Sequence, residues 1–277
     1  MTADRYPRIT VVMSAYNEMA TIEEILLRVQ AVDLDKEIVI IDDGSTDGTR
    51  EFLADLAMCA KAAPARMTLR QGGAVLRADN IRVLFQDKNR GKGAALQRGF
   101  QEVRGEIVII QDADLEYDPA DYHRLIAPIE AGRADVVYGS RFLGGPHRVL
   151  FFWHYVGNKL LTTISGMVTD LNLSDVWTCY KAFRREILLG LDLHENRFGF
   201  EQEITIKIAQ GGWRVYEIPV AYYGRTYAEG KKITWRDGVR AIWCILRYGL
   251  LAASSKTPQA KTVVQPMNRG SEGKSAQ

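Results

Sequence analysis

The stretch Val108-Ile109-Ile110-Gln111-Asp112-Ala113-Asp114-Leu115-Glu116-Tyr117-Asp118 decides how the rest of the chain is read. Three apolar residues with no helical period form a short buried strand. Asp112 and Asp114 follow at once, then Glu116. Strand side chains repeat every two residues, so a D-x-D at a strand end is expected to present both acids on one face. In open α/β sheets, ligands bind at the carboxyl ends of the strands. Clustered carboxylates repel one another unless a cation sits among them. Oxygen-only ligands suit Mg²⁺ or Mn²⁺, ions that commonly hold substrate phosphates. Taken alone, the same residues also read as a solvated acidic turn before Pro119.

Upstream, Ile9 to Met13 reads as a first buried strand, followed by Ser14-Ala15-Tyr16-Asn17-Glu18. Thr21, Ile22, Ile25, Leu26 and Val29 then take helical spacing. The turn lacks glycine, so the G-x-G-x-x-G dinucleotide loop is absent. Glu37 to Ile41 is a second strand, ended by Asp42-Asp43-Gly44-Ser45-Thr46-Asp47-Gly48-Thr49. Acids there can accept from a base N–H or a ribose hydroxyl. A calcium loop is set aside because Ala54 stands where its twelfth-position Glu belongs. Asp47 is expected to cap the helix that begins near Gly48. Residues 60–80 read as an irregular insertion, with Gly72-Gly73 turning a small hairpin. Ile81 to Phe85 is a third strand. Asn89-Arg90-Gly91-Lys92-Gly93 then opens an amphipathic helix that runs to about Gly105, and a glycine-rich helix start with a lysine can face an anion.

Downstream, Asp121 to Ile129 is expected as a helix, and Ala134 to Tyr138 as a strand with Gly139-Ser140-Arg141-Phe142 at its polar end. Val149 to Val168 carries Trp153, Val156, Leu160, Ile164 and Val168 on one helical stripe. That stripe reads either as core packing or as a helix lying on a membrane surface. Arg184 to Leu191 reads as a short helix. Another begins near Phe198 with Glu201 and Glu203 in its first turn, where acids complement the helix dipole and capping accounts for at least one of them. Trp213 to Val220 is a strand whose Pro219 argues for an edge. Arg225 to Lys232 is a basic loop. Trp235, Val239, Ile242, Trp243, Leu246 and Leu250 form a second amphipathic stripe. From Ala252 the composition reads as a disordered tail.

Composition bounds the function. Lys+Arg of 36 against Asp+Glu of 34 is too balanced to mark a nucleic-acid binder. Cys59, Cys179 and Cys244 are far apart, which fits a reducing compartment and leaves no cysteine zinc site. No signal peptide is expected from Met1 to Arg8, and no 18-residue uncharged apolar window reads as a membrane-crossing helix. The localisation expected is cytoplasmic, with peripheral contact at the cytoplasmic face of a membrane. The sequence leaves the oligomeric state open.

S-A-Y-N-E, I-D-D-G-S-T-D-G-T, N-R-G-K-G, D-A-D-L-E and G-S-R-F occur here in one order. Together they resemble the family 2 glycosyltransferases, and among these the dolichyl- and polyprenyl-phosphate hexosyltransferases. The resemblance implies the GT-A nucleotide-diphospho-sugar transferase fold, an α/β architecture with a mixed, mostly parallel sheet flanked by helices. The domains expected are a catalytic domain at 1–233, which holds the 60–80 insertion, an amphipathic helix at 234–251 and the tail at 252–277. The resemblance also implies that Ala15, Tyr16 and Glu18 line the nucleotide site and that Asp43, with Ile41, holds the base or ribose. Asp112, Ala113 and Asp114 would face the diphosphate, and Asp114 with Glu116 would hold Mg²⁺ or Mn²⁺. Many members carry Gln where Glu116 stands, so this chain adds a negative charge there. Arg225 and Lys231 resemble the basic loop that closes on the diphosphate. Arg141 resembles the arginine that meets the acceptor phosphate, and Glu201 sits where many relatives keep a base.

Three functions follow as expectations. The first is metal-dependent, inverting transfer of a hexose from UDP-glucose or GDP-mannose to polyprenyl phosphate at a membrane, with N-R-G-K-G leaning towards the glucosyl relatives. From Arg225 to Lys261 there are eight Lys/Arg against two Asp/Glu, a local excess that suits an anionic surface. The second is the same donor chemistry on a soluble or glycan hydroxyl, with Glu201 as general base. The third is a nucleotide-binding module without turnover.

Overall fold

A computed structural model of the protein describes residues 6–70, 72–149, 151–226 and 235–251, with the side chains of 235–237 and 251 outside the description. Lys231 and the tail from 252 therefore lie outside the described residues.

The apolar runs form β1 (Ile9–Ala15), β2 (Lys36–Asp42), β5 (Ile81–Phe85) and β6 (Ile107–Asp112). Every residue of β2 is buried, as befits a strand covered on both faces. β7 (Val136–Ser140), β8 (Lys181–Arg184) and β9 (Val215–Pro219) complete one sheet in the order β5-β2-β1-β6-β8-β7-β9. β8 runs antiparallel to both neighbours, and the other pairs are parallel. β9 is at an edge, as Pro219 requires. β3 (Arg66–Thr68) and β4 (Val75–Arg77) form the small hairpin expected in the 60–80 insertion, with Gly72 and Gly73 at φ 74° and 66°.

The chain runs from β1 to β2 on one side and meets β6 on the other. Ala15 pairs with Asp42, and Ser14 with Asp112. The strand order reverses at β1, and such switch points open a crevice at the carboxyl edge. This is why the acids of β2 and β6 lie near the turn that follows β1.

α1 (Ile22–Ala31), α2 (Thr49–Cys59), α3 (Lys92–Phe100) and α4 (Tyr122–Glu130) cover the sheet and the hairpin. The N-cap of α2 is Gly48 and not Asp47, which sits one residue earlier and accepts from the Thr49 N–H at 3.0 Å. α3 ends at Phe100, five residues before the expected end at Gly105. Its chain must turn there to enter β6, and the Gly105 N–H donates to Thr10 Oγ1 at 2.8 Å. β8 was not foreseen. Its buried Lys181 and Arg184 interrupt the apolar pattern, and the Arg184–Leu191 helix shrinks to α6 (Arg185–Leu189).

α5 (Phe152–Thr169), α7 (Phe200–Gly211), α8 (Trp235–Cys244) and a π-helical run, Ile245–Leu251, pack on one another. Core packing accounts for only part of the stripe on α5, where Val156, Ile164 and Val168 are half-buried. Trp153 is 77% exposed and Leu160 59%, while the buried face carries Thr162 and Ser165. The last helix behaves alike. Ala241, Cys244, Ile245 and Tyr248 are buried, and Val239, Ile242, Trp243, Leu246 and Leu250 face outward. None of the described helices is long and apolar enough to cross a membrane.

Candidate active site

The acids of the D-A-D do not share one partner. β6 stops at Asp112, so Asp114 lies beyond the strand, and the two carboxylates take different hydrogen-bond partners while staying close enough to repel. Lys92, the first residue of α3, reaches Asp112 Oδ1 at 2.8 Å and Glu201 Oε1 at 3.5 Å. Burial opposes ionisation of Asp112, but the Lys92 ammonium overrides it and holds the carboxyl below its usual range. Burial also works against the Lys92 charge, and Asp112 and Glu201 more than restore it. Glu201 is 3% exposed, and its Oε2 is buried without a hydrogen-bond partner among the described residues.

Asp114 has a different environment. Burial, then the neighbouring charges of Asp112 and Glu116, push its carboxyl up to about 8. Arg225 opposes that shift from 2.6 Å. The same guanidinium reaches Glu18 Oε2 at 3.2 Å and Glu116 Oε1 at 3.3 Å. Tyr222 donates its hydroxyl to Glu116 Oε2 at 3.0 Å, and the Arg141 guanidinium lies 5.0 Å from the Tyr222 ring centre. Arg141 is held by a two-point pairing with the fully buried Asp175, at 2.6 and 2.8 Å. Residues that follow β1, β6, β7 and β9 thus meet at one edge of the sheet.

Several expected residues have structural duties. Asp43 accepts from the Arg90 and Gly91 N–H groups and from Gln86 Nε2, at 2.8, 2.8 and 2.9 Å. It pins the N-R-G-K-G segment to the end of β2, and burial raises its pKa against those bonds. The glycines of that segment serve close packing. A Cβ on Gly91 or Gly93 would collide with the backbone carbonyls of Asn196 and Glu195. Ile41 points into the core against Gly99, so only its backbone lies in the β2 ladder near the site. Ala15 and Ala113 are buried beside the acids, and Tyr16 is half-buried. Neither first-turn acid caps α7. Glu203 instead accepts from the N–H groups of His194 and Glu195 and from Lys207. Tyr222 and Asp175 gave no signal in the sequence, because an isolated Tyr or Asp outside a motif is indistinguishable from a surface or turn residue.

Among the described residues, no three acidic, histidine or cysteine groups are set around one point as a ready metal shell. The chemistry of the donors nevertheless suits a hard divalent cation. Among the described residues, three carboxyl groups, Glu18, Asp114 and Glu116, converge on the Arg225 guanidinium. Ions such as Mg²⁺ are commonly bound by one or two carboxylates plus substrate phosphates.

This mixed sheet, with its acidic edge at the switch point, defines a GT-A transferase. The chain matches the glycosyl transferase family 2 model over residues 10–190 and belongs to that family; it is a glycosyltransferase. It is 29% identical over 231 residues to the polyprenol monophosphomannose synthase of Mycolicibacterium smegmatis, covering 81% of this chain and 80% of that protein. It is 26% identical over 256 residues to the undecaprenyl-phosphate mannosyltransferase of Micrococcus luteus, covering 88% and 95%. The dolichol-phosphate mannosyltransferase of Pyrococcus furiosus is 28% identical over 232 residues, and the match spans only 59% of its length. Among solved structures, the mannosyltransferase PcManGT of Pyrobaculum calidifontis, in complex with GDP-Man and Mn²⁺, superposes with a TM-score of 0.57 at 22% identity, over 92% of this chain and 67% of that one. At that identity the likeness carries the fold.

Proposed function

We propose that the protein is an inverting, divalent-metal-dependent hexosyltransferase that moves mannose from GDP-mannose to polyprenyl phosphate at the cytoplasmic surface of a membrane. One observation carries the lipid reading. α5 and the last helix are neighbours, and both turn apolar side chains outward, including Phe152, Trp153, Leu160, Trp243 and Leu246. Outward apolar faces of this kind suit a helix pair that rests in the lipid interface. UDP-glucose remains the other donor that the sequence allows; the names of the three mannosyl relatives favour mannose. The domain reading is a catalytic unit at 1–233 followed by an interfacial segment at 234–251.

Asp114 and Glu116 would hold the cation, which would offset charge developing on the leaving diphosphate. Ala15, Tyr16, Glu18 and Asp43 would position the nucleoside. Arg225 and Lys231 would meet the diphosphate, and Arg141, steadied by Asp175, the acceptor phosphate. A phosphate monoester has a second pKa of about 6, so near pH 7 it is already ionised and needs no base. In this reading Glu201, held by Lys92, orients groups and does not take a proton. Glu201 Oε2, without a hydrogen-bond partner among the described residues, favours a second reading, in which it accepts the proton of a hydroxyl acceptor.

Trp243→Glu separates the two. On the lipid reading the variant stays folded by thermal melt and leaves anionic vesicles. It also loses more activity on long-chain than on short soluble acceptors, and wild-type vesicle binding weakens steeply with salt. A wild type that ignores vesicles at low salt and glycosylates a soluble hydroxyl acceptor only when Glu201 is present would establish the second reading.

A further inference from the structure

The two cations of the cleft are held in different ways. Lys92 starts a helix and sits between Asp112 and Glu201. Arg225 lies at the outer side of the acids, past the end of β9, and its guanidinium spans three carboxyl groups drawn from two separate turns. A planar guanidinium fork can bridge several oxygens at once, which an ammonium cannot. It therefore fills the space between Glu18, Asp114 and Glu116 as a cation would. Asp114 and Glu116 are the acids a divalent ion would also need, so the two positive groups compete for the same oxygens.

We propose that Arg225 is the resident cation of this cluster in the nucleotide-free enzyme, and that the donor diphosphate draws its guanidinium away, so that a divalent ion binds tightly only together with the nucleotide. This rests on reading Asp114 and Glu116 as the ligands of that ion. A diphosphate bound in the crevice offers the guanidinium a two-point partner of higher charge than a carboxylate. Only the side chain has to swing. The backbone N–H of Arg225 donates to Glu116 Oε1 at 2.9 Å and the Tyr222 hydroxyl to Oε2 at 3.0 Å, so Glu116 stays aimed when the guanidinium leaves. By linkage, nucleotide and divalent ion then raise each other's affinity through one arginine. The arrangement also keeps the acids paired while no donor is bound.

The test is a Mn²⁺ titration followed by the electron paramagnetic resonance signal of the free ion, without nucleotide, with GDP, and with UDP in a parallel series. Wild type should bind Mn²⁺ weakly alone and about tenfold or more tightly with the nucleotide it accepts. Arg225→Ala should bind Mn²⁺ without nucleotide about tenfold more tightly than wild type, and the nucleotide should add less. Arg225→Lys, a point charge that cannot span the three acids, should fall between them. If the alanine variant does not fold, Arg225→Lys carries the test, with a larger Mn²⁺-induced rise in Tm than wild type. Mn²⁺ binding to Arg225→Ala no tighter than to wild type, or for the fallback an equal Tm rise, overturns the proposal. Asp114→Asn should lose Mn²⁺ in every series. Binding as tight as wild type in that variant overturns the ligand assignment itself, and the proposal with it.

Discussion

Asp112 and Asp114 are separated by one residue, yet they belong to two regions with opposite electrostatics. On the Lys92 side, one ammonium sits between Asp112 and Glu201, and Asp112 stays ionised below the usual range. On the Arg225 side, three carboxyl groups share one guanidinium, and Asp114 is held up to about 8. In the first region Lys92 holds both acids from between them. In the second, the acids that the proposed function gives to a divalent ion lie against Arg225. On the proposed function, the Lys92 side holds Asp112 and Glu201 in position and the Arg225 side exchanges its guanidinium for a ligand, although both belong to one motif.

That contrast is open to attack in three places. The largest effect is expected at Asp114→Ala, which should cut transfer by about 10³-fold with little change in thermal stability. Near-parental turnover with unchanged Mn²⁺ dependence would place the cation elsewhere. Lys92→Met should do the reverse. It leaves the buried Glu201 and the half-buried Asp112 without their cation, and denaturant unfolding should report a loss at or below the lower end of the about 3–5 kcal/mol of a fully buried pair. A fully stable Lys92→Met would mean that the pair is not structural. The smallest effect is on pH. The raised pKa of Asp114 means that the folded protein keeps this proton up to about pH 8, above the ordinary carboxyl range. A divalent ion must displace it, so Mn²⁺ affinity should fall by up to about tenfold per pH unit below 8 and level off above it. Isothermal titration in buffers of different ionisation enthalpy would count the proton released. A flat profile from pH 6 to 9 would show that Asp114 is already ionised or is not a ligand.

The half of the chain up to about Ser140 was legible because it obeys one rule. β1, β2, β5 and β6 are continuous apolar runs closed by polar turns, and the D-A-D falls where such a strand must end. The expected β5 coincides with the observed Ile81–Phe85. Later segments break the rule for physical reasons. β8 hides behind Lys181 and Arg184; Lys181 is satisfied by the Val176 and Thr178 carbonyls, and burial brings its pKa down to about 8. On α5, apolar spacing located the helix but not its orientation, since periodicity says which residues share a face and not what covers it. The partners of Arg225 and Arg141 were equally out of reach. Glu18 is 207 residues from Arg225, and no local pattern encodes such a pair.

The most direct measurement of the central claim is the mass of the lipid product. Purified protein is incubated with GDP-mannose or UDP-glucose, Mn²⁺ and a polyprenyl phosphate, and the lipid fraction is then weighed by mass spectrometry. The account predicts a polyprenyl phosphate heavier by one hexose residue with GDP-mannose, formed only when the divalent ion is present and lost in Asp114→Ala. An unchanged lipid, beside hexose transferred to a soluble hydroxyl acceptor in the same protein preparation, would contradict it.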